Sequence, residues 1–181
     1  AGVDSSPTIV NGTLYVGSDD GNVYAIDVAN GTLEWQFPTG GKVRSSPTVV
    51  NDRLYLGSED GNVYALNATD GSEVWSTATS GWVWSSPTVA NATVYVGNEA
   101  GNVYAFDAAT GTEEWNFTTG GNVRSSPTVL DGTLYVGSYD GSLYALDAEN
   151  GTAVWTRDLD DSIFASPTVV NGSVYIRSYS F

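Results

Sequence analysis

Six side chains suited to gripping a flat or charged group recur at one place in this sequence: Lys42, Arg44, Trp82, Trp84, Arg124 and Phe164. Each flanks a central apolar residue (Val3, Val43, Val83, Val123 or Ile163) just ahead of a Ser-Pro-Thr. The flanking pairs read Gly2 and Asp4, Lys42 and Arg44, Trp82 and Trp84, Asn122 and Arg124, then Ser162 and Phe164. In an extended chain neighbouring side chains alternate, so both flanks face away from the apolar residue. Half of the 6 cations of the chain stand at these positions. Guanidinium and ammonium groups pair with carboxylates, and indole and phenyl rings stack on planar or cationic groups, so the chemistry implied is binding of a planar anion or an aromatic peptide. Catalysis has less to work with. The sequence holds no histidine and no cysteine, which removes Ser-His and Cys-His nucleophiles, the usual zinc sites and any disulfide. Asp158, Asp160 and Asp161 replace the Thr-Thr-Gly-Gly type connector of earlier units and are oxygen ligands a calcium ion would accept. They lack the loop spacing of a dedicated calcium site, and a solvated acidic loop is the plainer reading.

The elements that must position these residues follow from a repeat. Pro7, Pro47, Pro87, Pro127 and Pro167 fall 40 residues apart with no insertion. Units of this length, rich in glycine, tyrosine and β-branched residues, predict an all-β propeller with one four-stranded antiparallel blade per unit. The units are 1–40, 41–80, 81–120 and 121–160, with a partial unit 161–181, together one propeller domain or a segment of one. In the second unit the run from Val43 to Val50 predicts the first strand, and Asn51-Asp52 a tight turn. Arg53 to Ser58, Asn62 to Asn67 and Glu73 to Thr77 predict the other three strands, separated by turns at Asp60-Gly61 and Asp70-Gly71. Five copies of the first hairpin stand against four of the second, leaving an open edge around Val174 to Arg177. The chain is then a piece of a longer propeller, half of a two-copy ring, or four closed blades with a spare hairpin.

Composition sets the surroundings. The net charge is −15, from 21 acids against 6 cations. Such acidity repels nucleic acid and matches salt adaptation, in which a carboxylate surface stays hydrated in brine. No apolar run is long enough to span a membrane, and the opening Ala1 reads as a processed or trimmed chain. Seven sequons, at Asn11, Asn30, Asn67, Asn91, Asn116, Asn150 and Asn171, favour an extracytoplasmic or cell-surface location, although Asn-Gly is also what a tight hairpin selects.

The third and fourth strands carry A-I-D-V-A-N-G-T-L-E-W, A-L-N-A-T-D-G-S-E-V-W, A-F-D-A-A-T-G-T-E-E-W and A-L-D-A-E-N-G-T-A-V-W. These resemble the tryptophan-docking motif of the pyrroloquinoline-quinone (PQQ) type β-propeller repeat, and the copies cover nearly the whole chain. The resemblance implies that Trp35, Trp75, Trp115 and Trp155 lie flat at blade junctions with each indole N–H bonded to a neighbouring backbone. It also implies that the first strand is innermost, so that Lys42, Arg44, Trp82, Trp84, Arg124 and Phe164 surround one mouth of the central channel. PQQ, planar and polycarboxylate, would suit that rim, and calcium accompanies it in the dehydrogenases of the family. Those enzymes often place a vicinal cysteine pair over the quinone, and this chain has none. The expected function is therefore a noncatalytic scaffold for a protein partner, for self-association or for a small planar anion. The alternative is a fragment or relative of a PQQ-dependent alcohol or sugar dehydrogenase.

Overall fold

Each unit folds as a meander because its turns demand backbone geometries that only a few residue types adopt. At Asn51 and Asp52 φ is 51° and 57°, the left-handed pair of a two-residue hairpin turn that suits Asn and Asp. The computed structural model of the chain describes residues 1–179, so the last two positions of the partial unit, 180 and 181, lie outside the described residues. The first sheet contains β1 (Thr8–Val10), β2 (Thr13–Gly17), β3 (Asn22–Asp27) and β4 (Leu33–Pro38). The second contains β5 (Thr48–Val50), β6 (Arg53–Gly57), β7 (Asn62–Asn67) and β8 (Glu73–Ala78). The third contains β9 (Thr88–Ala90), β10 (Thr93–Gly97), β11 (Asn102–Asp107) and β12 (Glu113–Thr118). The fourth contains β13 (Thr128–Leu130), β14 (Thr133–Gly137), β15 (Ser142–Asp147) and β16 (Ala153–Asp158), and a hairpin of β17 (Thr168–Val170) and β18 (Ser173–Tyr175) follows. Within every sheet consecutive strands pair antiparallel, and the sheets are the blades of a β-propeller.

The first strands adjoin one another in series, β1 to β5 to β9 to β13 to β17, and so line the axis. They are shorter than the sequence predicts: β5 begins at Thr48 and the stretch from Val43 is not part of the ladder. Its polar groups turn instead to neighbouring blades. Val43 N–H donates to Ser18 O, and Ser46 N–H donates to Ser86 Oγ at 2.9 Å. The serine bond repeats as Ser6 to Ser46, Ser86 to Ser126 and Ser126 to Ser166, and Thr48 Oγ1 donates to Pro87 O at 2.7 Å. The Ser-Pro-Thr signature is therefore a stitch between blades, and proline loses nothing there because no ladder bond is asked of it.

The hydrophobic core is a set of layers, one between each pair of blades. Tyr15 and Trp35 of the first blade pack with Leu54, Leu56 and Leu66 of the second, and equivalent clusters fill the next two joints. At each joint two donors converge on one carbonyl. Tyr15 Oη and Trp35 Nε1 both donate to Ala68 O at 3.0 Å. Tyr55 and Trp75 do the same to Ala108 O, where Arg53 Nη1 adds a third donor at 2.8 Å, and Tyr95 and Trp115 to Ala148 O. The indole lies against a glycine: a Cβ on Gly71, where φ is +74°, would stand 2.6 Å from the Trp35 ring. Trp155 is different. It is 40% exposed, whereas Trp35, Trp75 and Trp115 are at most 9% exposed, and its indole N–H has no acceptor among the described residues.

Replacing Trp115 with alanine should cost about 3–5 kcal/mol in chemical denaturation, the range for deleting a buried aromatic side chain. Trp155→Ala should cost less than half as much in dilute protein; equal losses would mean that the indoles do not hold the joints.

Candidate functional site: the channel mouth

Strand direction places the connectors before each first strand and the turns between second and third strands at one end of the propeller. A carboxylate clamps these segments across the joint. Asp60 Oδ2 accepts from Tyr64 Oη and from Gly40 N–H of the preceding blade, both at 2.7 Å, while Oδ1 accepts from Asn62 N–H. Burial pushes the Asp60 carboxyl up, but the Tyr64 hydroxyl and the backbone donors outweigh it and leave its pKa lowered. Burial, and after it the bond to Asp60, pushes the Tyr64 hydroxyl up to about 12. Asp140 repeats the clamp on Gly120. In the third unit Ala100 stands where the clamp should be, and Ser80 Oγ takes over through Tyr104 Oη at 3.0 Å, Asn98 at 3.1 Å and Asn102 at 2.9 Å.

Held in this way, the variable side chains meet. Arg44 lies among three carboxylates, with Nε 3.2 Å from Asp19, 3.3 Å from Asp4 and 3.3 Å from Glu59. Lys42 Nζ is 3.0 Å from the same Asp19. Arg124 forms two bonds with Glu99, and Asn122 Nδ2 donates to Glu99 Oε2. Both guanidinium groups lie over the Trp84 ring, Arg44 at 4.7 Å and Arg124 at 4.0 Å, and Arg124 also reaches Tyr139 at 4.8 Å. The Trp84 Nε1 donor is buried without a partner among the described residues. Phe164 packs on Tyr139 at 4.3 Å and on Tyr179 at 5.1 Å, while Trp82 is 52% exposed. Lys42, Arg44, Trp84 and Arg124 thus form one linked cluster, with Trp82 and Phe164 beside it.

The acids of this cluster are what sequence reasoning missed. Asp19, Glu59 and Glu99 occupy one offset of the repeat, and Asp19 and Glu99 precede their arginine partners by 25 residues. That constant offset was the available signal. Arg44, followed by Lys42, holds the Asp19 carboxyl below the usual carboxylate range through hydrogen bonds.

The same geometry decides against the quinone site. A polycarboxylate needs uncommitted cations, and each rim cation already faces a carboxylate. Among the described residues no three acidic side chains converge on a metal position. Asp158 Oδ1 instead accepts from the Asp160 backbone N–H at 2.9 Å, which ties Asp158 to its own turn, and Asp160 and Asp161 do not join it in a metal cluster. The residues present do not fit PQQ with calcium. No helix among the described residues is long and apolar enough to cross a membrane.

A carboxyl held down by cations contributes its ion pairs above its unfolded value, about 3.9, and loses them as pH falls through the lowered folded value. Side-chain carboxyl NMR should give Asp19 a midpoint below about 3.9 that rises in Arg44→Ala. An unshifted midpoint in the wild type would remove the pairing.

Comparison with known proteins follows the fold. The chain is similar to BamB from Moraxella catarrhalis with a TM-score of 0.87 and 23% identity, over 99% of this chain and 59% of that one. It is similar to the computationally designed Ika8 protein (TM-score 0.83, 14% identity, 93% of this chain and 53% of that chain). It is also similar to quinohemoprotein alcohol dehydrogenase from Comamonas testosteroni (TM-score 0.79, 22% identity, 97% of this chain and 39% of that chain). The chain thus spans well under two thirds of each of these structures, and at such identities they speak for the fold alone. No curated protein matches the sequence. The family model described as outer membrane protein assembly factor BamB matches residues 1–83, 19–125 and 79–176, and the chain therefore belongs to that family of PQQ-type repeat propellers.

Proposed function

We propose that this chain is a noncatalytic scaffold whose channel-mouth face binds a protein partner. The observation that carries this reading is the Trp84 ring covered by two arginines, each held by carboxylates, beside an exposed Trp82. Tryptophan and arginine dominate protein-binding hot spots when they are held rigidly at a surface. Here the acids do the holding, so little rotamer entropy is lost on contact. The partner's matching surface would carry an aromatic or aliphatic anchor to pack on the exposed Trp82 ring. The family's description, an assembly factor for outer membrane proteins, agrees with such a role.

An extracytoplasmic setting is part of the proposal. Six of the seven sequon asparagines, all but Asn116, lie at turns or strand ends on the face opposite the channel mouth, which leaves the mouth clear. Salt adaptation is the second part. With a net charge of −15, self-repulsion in dilute buffer weakens the fold and salt screens it. The thermal midpoint should rise steadily from dilute to molar salt; a flat or falling response removes this element.

The rim itself is tested by affinity capture from cell-envelope extracts of the source organism at matched salt. The wild type should retain a partner that the Trp82→Ala/Arg124→Ala variant loses and an Asn91→Ala variant on the opposite face keeps. Equal retention by all three overturns the assignment. So does dye-linked alcohol oxidation after incubation with PQQ and calcium.

A further inference from the structure

At the end of the propeller opposite the channel mouth, a groove opens at each of Ala68, Ala108 and Ala148, whose carbonyls the tyrosines and tryptophans share. The groove between the second and third blades already holds a guanidinium, one that belongs to the chain itself. Arg53 Nη1 donates to Ala108 O at 2.8 Å, although that carbonyl also accepts from Tyr55 and Trp75. The floor of a joint therefore has room for a third, cationic donor. Hydrogen bonds from Thr110 hold the neighbouring Asp107 carboxyl below its ordinary value, and the charge of Arg53 adds to that pull.

Between the third and fourth blades threonine replaces the arginine. Thr93 stands 40 residues after Arg53, is buried, and donates from Oγ1 to Glu114 Oε2 at 2.9 Å. The floor is unchanged, with Tyr95 Oη and Trp115 Nε1 donating to Ala148 O at 3.0 Å and 3.1 Å. The groove is wider, about 640 Å³ against about 460 Å³ beside Arg53, and no lysine or arginine lines it. Its rim has turned acidic: Glu114, Asp131 and Glu149 stand where the preceding unit has Val74, Asn91 and Ala109. Asp147 repeats Asp107 and ties down its own turn, Oδ1 accepting from the Glu149 N–H at 2.9 Å. Burial raises the Tyr95 hydroxyl, and the negative charges of Glu114 and Asp147 add to the rise, so both carboxylates act on the floor of the groove.

We infer that the groove between the third and fourth blades binds an alkylguanidinium group, of a free small molecule or of an arginine side chain, seated on Ala148 O as Arg53 is on Ala108 O. Glu114 and Asp147 stand beside it as charge partners. Acidic side chains alone would be a solvated rim, but one joint earlier the chain shows which group such a floor receives. A guanidinium suits the place because its five N–H donors lie in one plane and can reach a carbonyl and carboxylates together, whereas an ammonium is a point charge. The volume falls in the range of small-ligand sites, about 300–1,000 Å³. A net charge of −15 draws cations, and carboxylates gathered at one groove concentrate that field. This site stands apart from the channel mouth and does not depend on the partner proposed there.

The Trp115 indole N–H shares Ala148 O and so reports on the site. Arginine amide and the peptide acetyl-Gly-Arg-Gly-amide, titrated in two-dimensional NMR at the lowest salt that keeps the chain folded, should shift the Trp115 indole resonance saturably. Those of Trp35 and Trp75 should stay in place. Tighter binding of the peptide identifies a protein side chain as the source of the group, and equal affinity a free guanidinium compound. Glu114→Gln should weaken binding about fivefold, while Glu73→Gln, which removes the same charge from the second blade, leaves it unchanged. Thr93→Arg should place a guanidinium in the groove from within and abolish binding. A Trp115 resonance that never shifts saturably overturns the proposal, as does binding that survives Thr93→Arg or equal binding of acetyl-Gly-Lys-Gly-amide.

Discussion

One backbone carbonyl per joint, shared by a tyrosine hydroxyl and a tryptophan N–H, is the constraint on which the rest of this propeller depends. A single blade is an open four-stranded sheet with two faces to cover, and its stability comes from its neighbours. The indole supplies most of the buried area, but burying it leaves an N–H donor that must be satisfied. Ala68, Ala108 and Ala148 meet that need with a second lone pair left for the tyrosine, and each is buried in the same cluster as the indole it satisfies. The glycine opposite each indole follows from the same packing, because a Cβ on Gly111 would stand 2.6 Å from the Trp75 ring. Once the joints are set, the inner strands are drawn together and the serine and threonine stitches close along the axis.

The channel mouth is where the repeat stops obeying its own scaffold. Every unit needs the joint, but no joint needs Arg44, Trp84 or Arg124, and these are the residues that change from unit to unit. They are organised all the same. Carboxylates from the adjacent turns fix the arginines, and the arginines cover the Trp84 ring. This arrangement turns long, mobile cations into a firm surface without giving the mouth a positive charge. The proposed recognition by shape and aromatic contact rests on this arrangement.

Much of the fold was legible because the unit length never varies: constant spacing of Ser-Pro-Thr, turn pairs and tryptophan leaves few architectures open. The strand boundaries at the axis were not legible. Nothing local distinguishes Val43 to Pro47 from a strand, and only the neighbouring blades show that its N–H groups are spent between units. The shared carbonyl was hidden for a related reason, since Tyr15 and Ala68 lie 53 residues apart and each looks like ordinary repeat content. At the mouth, the cations and rings were visible as departures from the repeat, whereas Asp19, Glu59 and Glu99 resembled routine turn acids beside Asp20 and Asp60. Trp155 carries the same motif as its three counterparts, so only the absence of an opposing blade among the described residues sets it apart.

Hydrogen exchange at the indole N–H groups, followed by two-dimensional NMR, tests the central claim most directly. Trp35, Trp75 and Trp115 should exchange slowly and together, limited by opening of the joints, while the exposed Trp82 exchanges at the solvent rate. If the indole protons of those three tryptophans exchange as fast as that of Trp82, the shared carbonyl does not hold the blades together.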